Sequence, residues 1–495
     1  MSKHNTTIES AMALYRAEQV RSMDRVAIDQ LEISGLELMH RAGKEAFRVL
    51  KQMCPDRQSI AVFCGAGNNA GDGFVVARLA LEAGYPVKVY ALISPDRLRG
   101  DAAAVFLEFL DHGGEFSEFT GTFAEPADVI VDALLGTGLD REVSGLFYNA
   151  IEQINRFEGQ VLALDIPSGL NADNGFPMGI AVRADQTVSF IGAKQGLYTG
   201  DGVDYSGVVT FASLDVPAEV TASEQPSSYL LASPRNLFEP RRRSAHKGDF
   251  GHLLIVGGEA GFNGAARLAG QAGARVGAGL ISLATRACHA PFINLAQPEM
   301  MCHGIESAEA LQGLLDKATA VAVGPGLGQS DWARTLFECV LDTGLNTVVD
   351  ADALNLLART PLRRANWVLT PHPGEAARLL ACDTLAIRKD RFAAVEAVQK
   401  KYGGVCVLKG AGSLISDGET IAICPSGNPG MASGGMGDLL TGIIAGLIVQ
   451  GFSLGDAARA GAYLHGEAAD LAARNGERGM LATDLLPFLR DLVNP

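Results

Sequence analysis

The chain has 495 residues, 47% of them apolar and 20% charged, and a formal net charge of −15. That length exceeds what one hydrophobic core organises and indicates two domains, and the composition excludes a disordered chain. The acidic balance excludes a general nucleic-acid surface, which needs a basic stripe. A nucleotide remains open, because backbone amides at a helix N-terminus can hold a phosphate without excess Lys or Arg. No window reaches the ~18 apolar residues of a membrane span, and MSKHNTTIESAMALYRAEQ lacks the apolar stretch of a signal peptide. The eight cysteines show no CxxC spacing. This removes zinc and thioredoxin readings and points to reduced, mostly buried thiols in the cytoplasm.

In chain order, EQVRSMDRVAIDQL and LELMHRAGKEAFRVL have helical spacing, so two helices are expected first. From about residue 58 to 211, β-rich runs (SIAVFC, VKVYAL, DVIVDALL, GQVLALDI) alternate with helical stretches, the first helix starting near 71. Such alternation implies a parallel sheet covered on both faces. Three strand ends carry polar oxygens: CGAGNNAGDG with Asn68, Asn69 and Asp72; VDALLGTGLDRE with Asp132, Gly136 and Gly138; and LALDIPSGLNAD with Asp165 and Ser168. Each Asp or Ser alone suits a helix cap. Together, at the carboxyl ends of parallel strands, they predict one ligand site, and Asn69, Asp132 and Ser168 suit a hard cation.

GAGNNAGDG, VDALLGTGL and DIPSGLNAD resemble, in order and spacing, the YjeF N-terminal domain, the NAD(P)HX epimerase family, over about residues 14–216. The resemblance implies a Rossmann-like α/β/α domain that contacts a hydrated dinucleotide. The contacts fall on Asn68, Asn69, Ala70, Gly71 and Asp72, and on Gly136, Thr137, Gly138, Leu139, Asp140, Arg141 and Glu142. It further implies Asp165 at the ring that epimerises and K+ held by Asn69, Asp132 and Ser168. LELMHRAG departs from the family's LMERAG or LMENAG at His40, which reads as structural. Epimerisation at a hydroxyl-bearing carbon beside a ring nitrogen needs proton transfer. Asp165 is the chosen acid–base residue and Asp72 its rival.

A Pro-, Ser- and charge-rich stretch then places the junction near 217–226, between domains expected at 1–218 and 226–495. A second βα series follows: HLLIVGG, LISLAT, ATAVAVGPG, NTVVDADAL, NWVLTPHPGEAARLL and GVCVLKGAG, with three closing helices starting near 438, 454 and 484. In GGMGDLLTGIIAGL, Leu439, Leu440, Ile443, Ile444, Leu447 and Ile448 form an apolar stripe, so the helix is buried and Asp438 sits at its start. The helix N-terminus is expected to keep this carboxylate ionised, next to glycine amides (Gly434, Gly435, Gly437) able to hold a phosphate. A base beside an anion hole suits phosphoryl transfer. In VLKGAGS, Lys409 is expected to be available to a phosphate.

HKGDFG, GPGLG, DADALN, TPHPGE, KGAGS and NPGMASGGMGD resemble, in register from about 226 to 495, the YjeF C-terminal domain, a ribokinase-like ADP- or ATP-dependent NAD(P)HX dehydratase. The resemblance implies that Lys409, Gly410, Ala411, Gly412, Ser413 and Gly437 hold the adenine nucleotide. It implies substrate contacts at Ala265, Gly326, His372 and Asp438, with Asp438 as catalytic base and Mg2+ accompanying the nucleotide. The whole chain then reads as a two-domain α/β enzyme acting on hydrated NADH and NADPH, with ADP favoured as phosphoryl donor, and without nucleic-acid or membrane partners. Self-association is expected only by analogy with multimeric ribokinase-like dehydratases. Two other readings stand beside it. One is a ribokinase-like small-molecule kinase with a non-catalytic N-terminal ligand-binding domain. The other makes the first half an interaction module.

Overall fold

The computed structural model describes residues 11–123, 126–295 and 297–494. The chain divides into two compact units, one of Ala13–Ser228 and one running from Tyr229 onward. The break falls at the far edge of the Pro- and Ser-rich stretch.

The first unit opens with helices α1 (Ala17–Asp29) and α2 (Gly35–Met53). Ser34 starts α2 by accepting the Glu37 amide at 3.1 Å, the usual way an orphan donor of a first turn is satisfied. Strands β1 (Ile60–Cys64), β2 (Val87–Ala91), β3 (Phe116–Glu118), β4 (Val129–Ala133), β5 (Gln160–Leu164), β6 (Gln186–Phe190) and β7 (Val208–Ala212) form one parallel sheet in the order β3-β2-β1-β4-β5-β6-β7. In β1, Ile60, Val62 and Cys64 join the core on one face and Ala61 and Phe63 the core on the other, which is why the whole strand reads apolar. Helix α3 spans Asn68–Glu82. It starts earlier than the expected position near 71, so Asn68, Asn69 and Asp72 lie on helical turns rather than in a loop. The sheet order reverses between β1 and β4, and open α/β sheets bind ligands at such a switch point.

In the second unit, strands β8 (His252–Val256), β9 (Leu280–Thr285), β10 (Met301–Gly304), β11 (Ala320–Val323), β12 (Asn346–Val349), β13 (Trp367–Leu369), β14 (Val405–Leu408), β15 (Ser413–Ser416) and β16 (Ile421–Cys424) lie in the order β16-β15-β14-β13-β12-β11-β8-β9-β10. All neighbours are parallel except the β14–β15–β16 meander. The switch point here separates β8 from β11. Helix α4 (Asn263–Arg275) follows β8, and the closing helices are α5 (Met436–Ile448), α6 (Leu454–Ala472) and α7 (Leu486–Leu492). Leu439, Ile443, Ile444 and Leu447 of α5 are fully buried, each worth about 1.5–3 kcal/mol. Gly442 allows the crossing with α4: a Cβ there would lie 2.0 Å from the Ala269 carbonyl oxygen.

The expectation of mostly buried thiols needs correction. Cys54, Cys64, Cys406 and Cys424 are buried, but Cys288 and Cys382 are exposed, because neither falls on a strand or a packed helix face.

Candidate active sites

At the switch point of the first unit, a cavity of about 640 Å³ opens over the ends of β1, β4 and β5. Among the residues expected to touch ligand, Asn68, Asn69, Asp72, Asp165 and the run 136–141 line it. Ala70 is buried, the backbone of Gly71 packs against Met39, and neither these two nor Glu142 contributes to the lining. Asp165 ends β5 at φ +65°, a conformation that costs energy for a residue with a side chain and that concentrates at functional sites. Its amide donates to Val188 O at 2.7 Å, so the strained turn is tied to the neighbouring strand.

Lys194 and Asp24 complete this floor, and neither stood out in the sequence. Lys194 is wholly buried. Its ammonium donates to Asp165 Oδ1 and, at 2.9 Å, to the Phe190 carbonyl oxygen. Asp24 enters from α1. Burial pushes its carboxyl up to about 6, with Lys194 opposing and Asp165 adding to the rise. Asp72 is raised well above the ordinary carboxylate range, by burial first and then by the charges of Asp165 and Asp24. Three carboxylates thus face one ammonium, a set that cannot be fully ionised cheaply.

Below the cavity, Asp132 and Ser168 are 0% exposed. Ser168 Oγ donates to Asp132 Oδ1 at 2.6 Å, and the Ser168 and Leu134 amides reach the same carboxylate at 2.8 and 3.2 Å. Burial still raises Asp132 to about 6 against those bonds. Asn69 Nδ2 donates to Leu135 O at 3.2 Å, while Asn69 Oδ1 is buried without a hydrogen-bond partner among the described residues. An orphaned amide oxygen beside a carbonyl oxygen, a hydroxyl and a buried carboxylate is a donor set that fits a hard cation. His40, by contrast, bonds Glu108 at 2.9 Å on the helix surface.

In the second unit, the loops after β8 and β11 join the residues expected to touch substrate. Glu259 N donates to Gly326 O at 2.7 Å, Phe262 N to Glu259 O at 2.8 Å and Ala265 N to Phe262 O at 3.4 Å. His372 caps the helix Pro373–Leu380, its Nδ1 accepting the Gly374 amide at 3.0 Å. Burial and the charge of Lys409 lower its pKa, so the neutral ring carries its proton on Nε2. A second cavity of about 450 Å³, lined by Gln329, Asn355, Ala358, Arg359 and Arg378, includes none of these residues.

Lys409 lies at the centre of the charged cluster. Its ammonium donates to Asp350 Oδ1 at 2.8 Å and stands 3.7 Å from Glu375 Oε2, and Thr441 Oγ1 donates to Asp350 Oδ2 at 2.8 Å. Burial works against the ammonium, but Asp350, Glu375 and Asp438 outweigh it and hold its pKa above the ordinary value. Lys409 thus enters the turn with one donor of its ammonium given to Asp350. Gly437 makes this closeness possible, since a Cβ there would meet Lys409 Nζ at 3.3 Å. Ser413 Oγ donates to Gly410 O at 3.0 Å. Arg391, which the sequence did not single out, braces the same turn from below through Leu408 O and Gly412 O, both at 3.3 Å.

Asp438 requires a second correction. Gly435, at φ +90°, is the N-cap of α5, and Asp438 is the third residue of the helix. The first ladder bond runs from Leu439 N to Gly435 O at 3.1 Å, so the amides of Met436, Gly437 and Asp438 precede the ladder. The helix start does not keep the carboxylate low. Burial, then Asp350 and Asp352, push it up to about 7, against Lys409. Desolvation outweighs a macrodipole effect of at most ~2 kcal/mol.

Comparison with known proteins agrees with both halves. A family model described as YjeF-related protein N-terminus matches residues 35–196, and one described as NAD(P)H-hydrate dehydratase matches 253–490. A bifunctional NAD(P)H-hydrate repair enzyme of Coxiella burnetii is 48% identical over 97% of this chain and 99% of its own length. The Escherichia coli protein of the same description is 43% identical over 97% and 94%. A Bacillus subtilis ADP/ATP-dependent NAD(P)H-hydrate dehydratase, co-crystallised with ATP/Mg2+, is 28% identical over 51% of this chain and 92% of its own, with a TM-score of 0.46. With two matched domain models in the same chain and near-complete coverage of relatives well above 30% identity, the chain belongs to the bifunctional NAD(P)H-hydrate repair enzyme family.

Proposed function

We propose that the first unit interconverts the R and S forms of hydrated NADH and NADPH and that the second dehydrates the S form at the expense of ADP, releasing AMP and phosphate. The observation that carries the reading is Asp438, a carboxyl raised to about 7 at the start of a buried helix beside unladdered amides. A base titrating near the working pH exchanges protons most effectively.

In the second unit, Asp438 accepts the proton of the substrate hydroxyl as that oxygen takes the β-phosphoryl group of ADP. The amides of Met436 and Gly437 face the charge that develops in transfer, and the turn Lys409–Ser413 holds the nucleotide, with Mg2+ neutralising its phosphates when bound. The phosphorylated hydroxyl is a far better leaving group than hydroxide, and the ring nitrogen expels it as phosphate. Ala265, Gly326 and His372 position the ring. In the first unit, Asp165 moves the proton at the hydroxyl-bearing carbon, and Asn68, Asn69, Asp72 and residues 136–141 hold the dinucleotide. Asn69, Asp132 and Ser168 would hold K+, which supplies fixed positive charge under the site. A cytoplasmic location and self-association remain part of this reading.

A kinase with a passive first unit is the second reading; the strained Asp165 held by Lys194 inside the cavity counts against passivity. The test supplies a mixed R/S hydrate with ADP, then with ATP. Complete recovery of NADH absorbance with free phosphate is expected. A stable phosphorylated product would mean a kinase, and a stall midway a first unit without epimerase activity.

A further inference from the structure

The floor of the first unit's cavity holds more acid–base groups than a single-base reaction uses. Asp165 is the one carboxylate of the three bonded by the Lys194 ammonium. Asp72 comes from α3, and its carboxyl has no hydrogen-bond partner among the described residues. It is only 9% exposed, and it lines the same cavity as Asp24, Asp165 and Lys194. A carboxyl in that position, beside two other carboxylates and without a donor, retains its proton. Burial and the charges of Asp165 and Asp24 raise Asp72, as this arrangement requires.

We infer that the epimerase site works with a split pair, Asp165 as base and Asp72 as acid, and that Lys194 and Asp24 are positioning residues that decide which of the two keeps the proton. The inference rests on the epimerase reading above. As the bond between the hydroxyl-bearing carbon and the ring nitrogen opens, Asp165 takes the hydroxyl proton and the oxygen becomes a carbonyl. The nitrogen keeps the bonding electron pair and receives the proton of Asp72. The carbonyl carbon turns over and the nitrogen closes on its other face. Asp72 recovers its proton from the nitrogen, and Asp165 returns its own to the new hydroxyl. No atom is gained or lost and nothing is oxidised. Asp24 acts by charge: ionised, it makes loss of the Asp72 proton harder. Lys194 holds the Asp165 carboxylate in place through its hydrogen bond. The remaining charged groups of the cavity are half-buried Asp101 and exposed Arg21, Asp140 and Arg141, which water screens more effectively.

The test follows R/S interconversion by the full chain in K+ buffer without nucleotide, the uncatalysed rate subtracted, across a pH series. Asp72→Asn is expected to lose at least ~100-fold in kcat with little change in KM, the scale of a general acid. Asp24→Asn is expected to move the alkaline limb of kcat to lower pH, because Asp72 then loses its proton more readily. Lys194→Met is expected to lose about 10-fold or more in kcat because Asp165 is no longer held in place, and Lys194→Arg to restore most of it. If Lys194→Met fails to fold, the Asp24 shift still decides. Asp72→Asn with undiminished kcat, or Asp24→Asn with an unmoved alkaline limb, overturns the inference. A parent chain that does not interconvert the hydrates overturns instead the reading on which it rests.

Discussion

Asp132, fully buried at a strand end, and Asp438, half-buried at a helix start, have different surroundings that set different tasks. Asp132 accepts three short-range donors from Ser168 and Leu134, so burial lifts it only to about 6. Asp438 has Asp350 and Asp352 against it and is lifted to about 7. Its folded-state value lies above the ordinary 3.8, so folding favours the protonated form. That contribution is complete below pH ~4 and is lost as pH rises through about 7. Asp438→Asn therefore melts close to the parent at pH ~4 and below. Above neutrality it melts higher, by about 2–4 °C for each kcal/mol relieved. Its dehydration of the S hydrate falls at least ~100-fold. Thermal melts at acidic and alkaline pH, paired with initial rates, check both. Equal melting differences at the two pH values would contradict the buried-carboxylate account.

At the scale of elements, the second site depends on how closely α5 approaches its neighbours. Gly442 against Ala269 O and Gly437 against Lys409 Nζ are both contacts that a side chain would occupy. Gly442→Val is expected to destabilise the chain by about 3 kcal/mol or more, since the clash is with backbone that cannot turn aside. Gly434→Ala has open space around it and should stay within ~0.5 kcal/mol of the parent. Denaturant midpoints for the two variants make the comparison. Similar midpoints would mean that the α4–α5 crossing tolerates a wider spacing. In the first unit, the corresponding device is the turn at Asp165, tied by its amide to Val188 and by its carboxylate to Lys194.

For the whole molecule, the proposed K+ role would separate the two activities, because Asn69, Asp132 and Ser168 all belong to the first unit. Exchange of K+ for tetramethylammonium, too large for a cradle of side-chain and backbone oxygens, is expected to slow R/S interconversion and lower the melting temperature of the first unit. Dehydration of pure S hydrate should persist, and calorimetry alongside the two rate measurements checks this. An epimerisation rate indifferent to K+ would remove the cation from the first site.

The sequence by itself determined the two parallel-sheet units, because apolar runs separated by helical periods have few other ways to bury both faces. It also determined the strand-end positions of Asp132, Asp165 and Ser168 and the buried helix behind Asp438, since glycine turns and polar residues after apolar strands are local signals. Lys194 and Asp24 had no such signal: one is a lone lysine after a strand, the other a charge on an amphipathic helix, and either reads locally as solvated. Thr441 and Arg391 were silent for the same reason. The protonation states were decided by the tertiary structure alone. How far a carboxylate's pKa moves depends on how much water it loses and which charges face it across the fold, and neither quantity is contained in the spacing of residues along the chain.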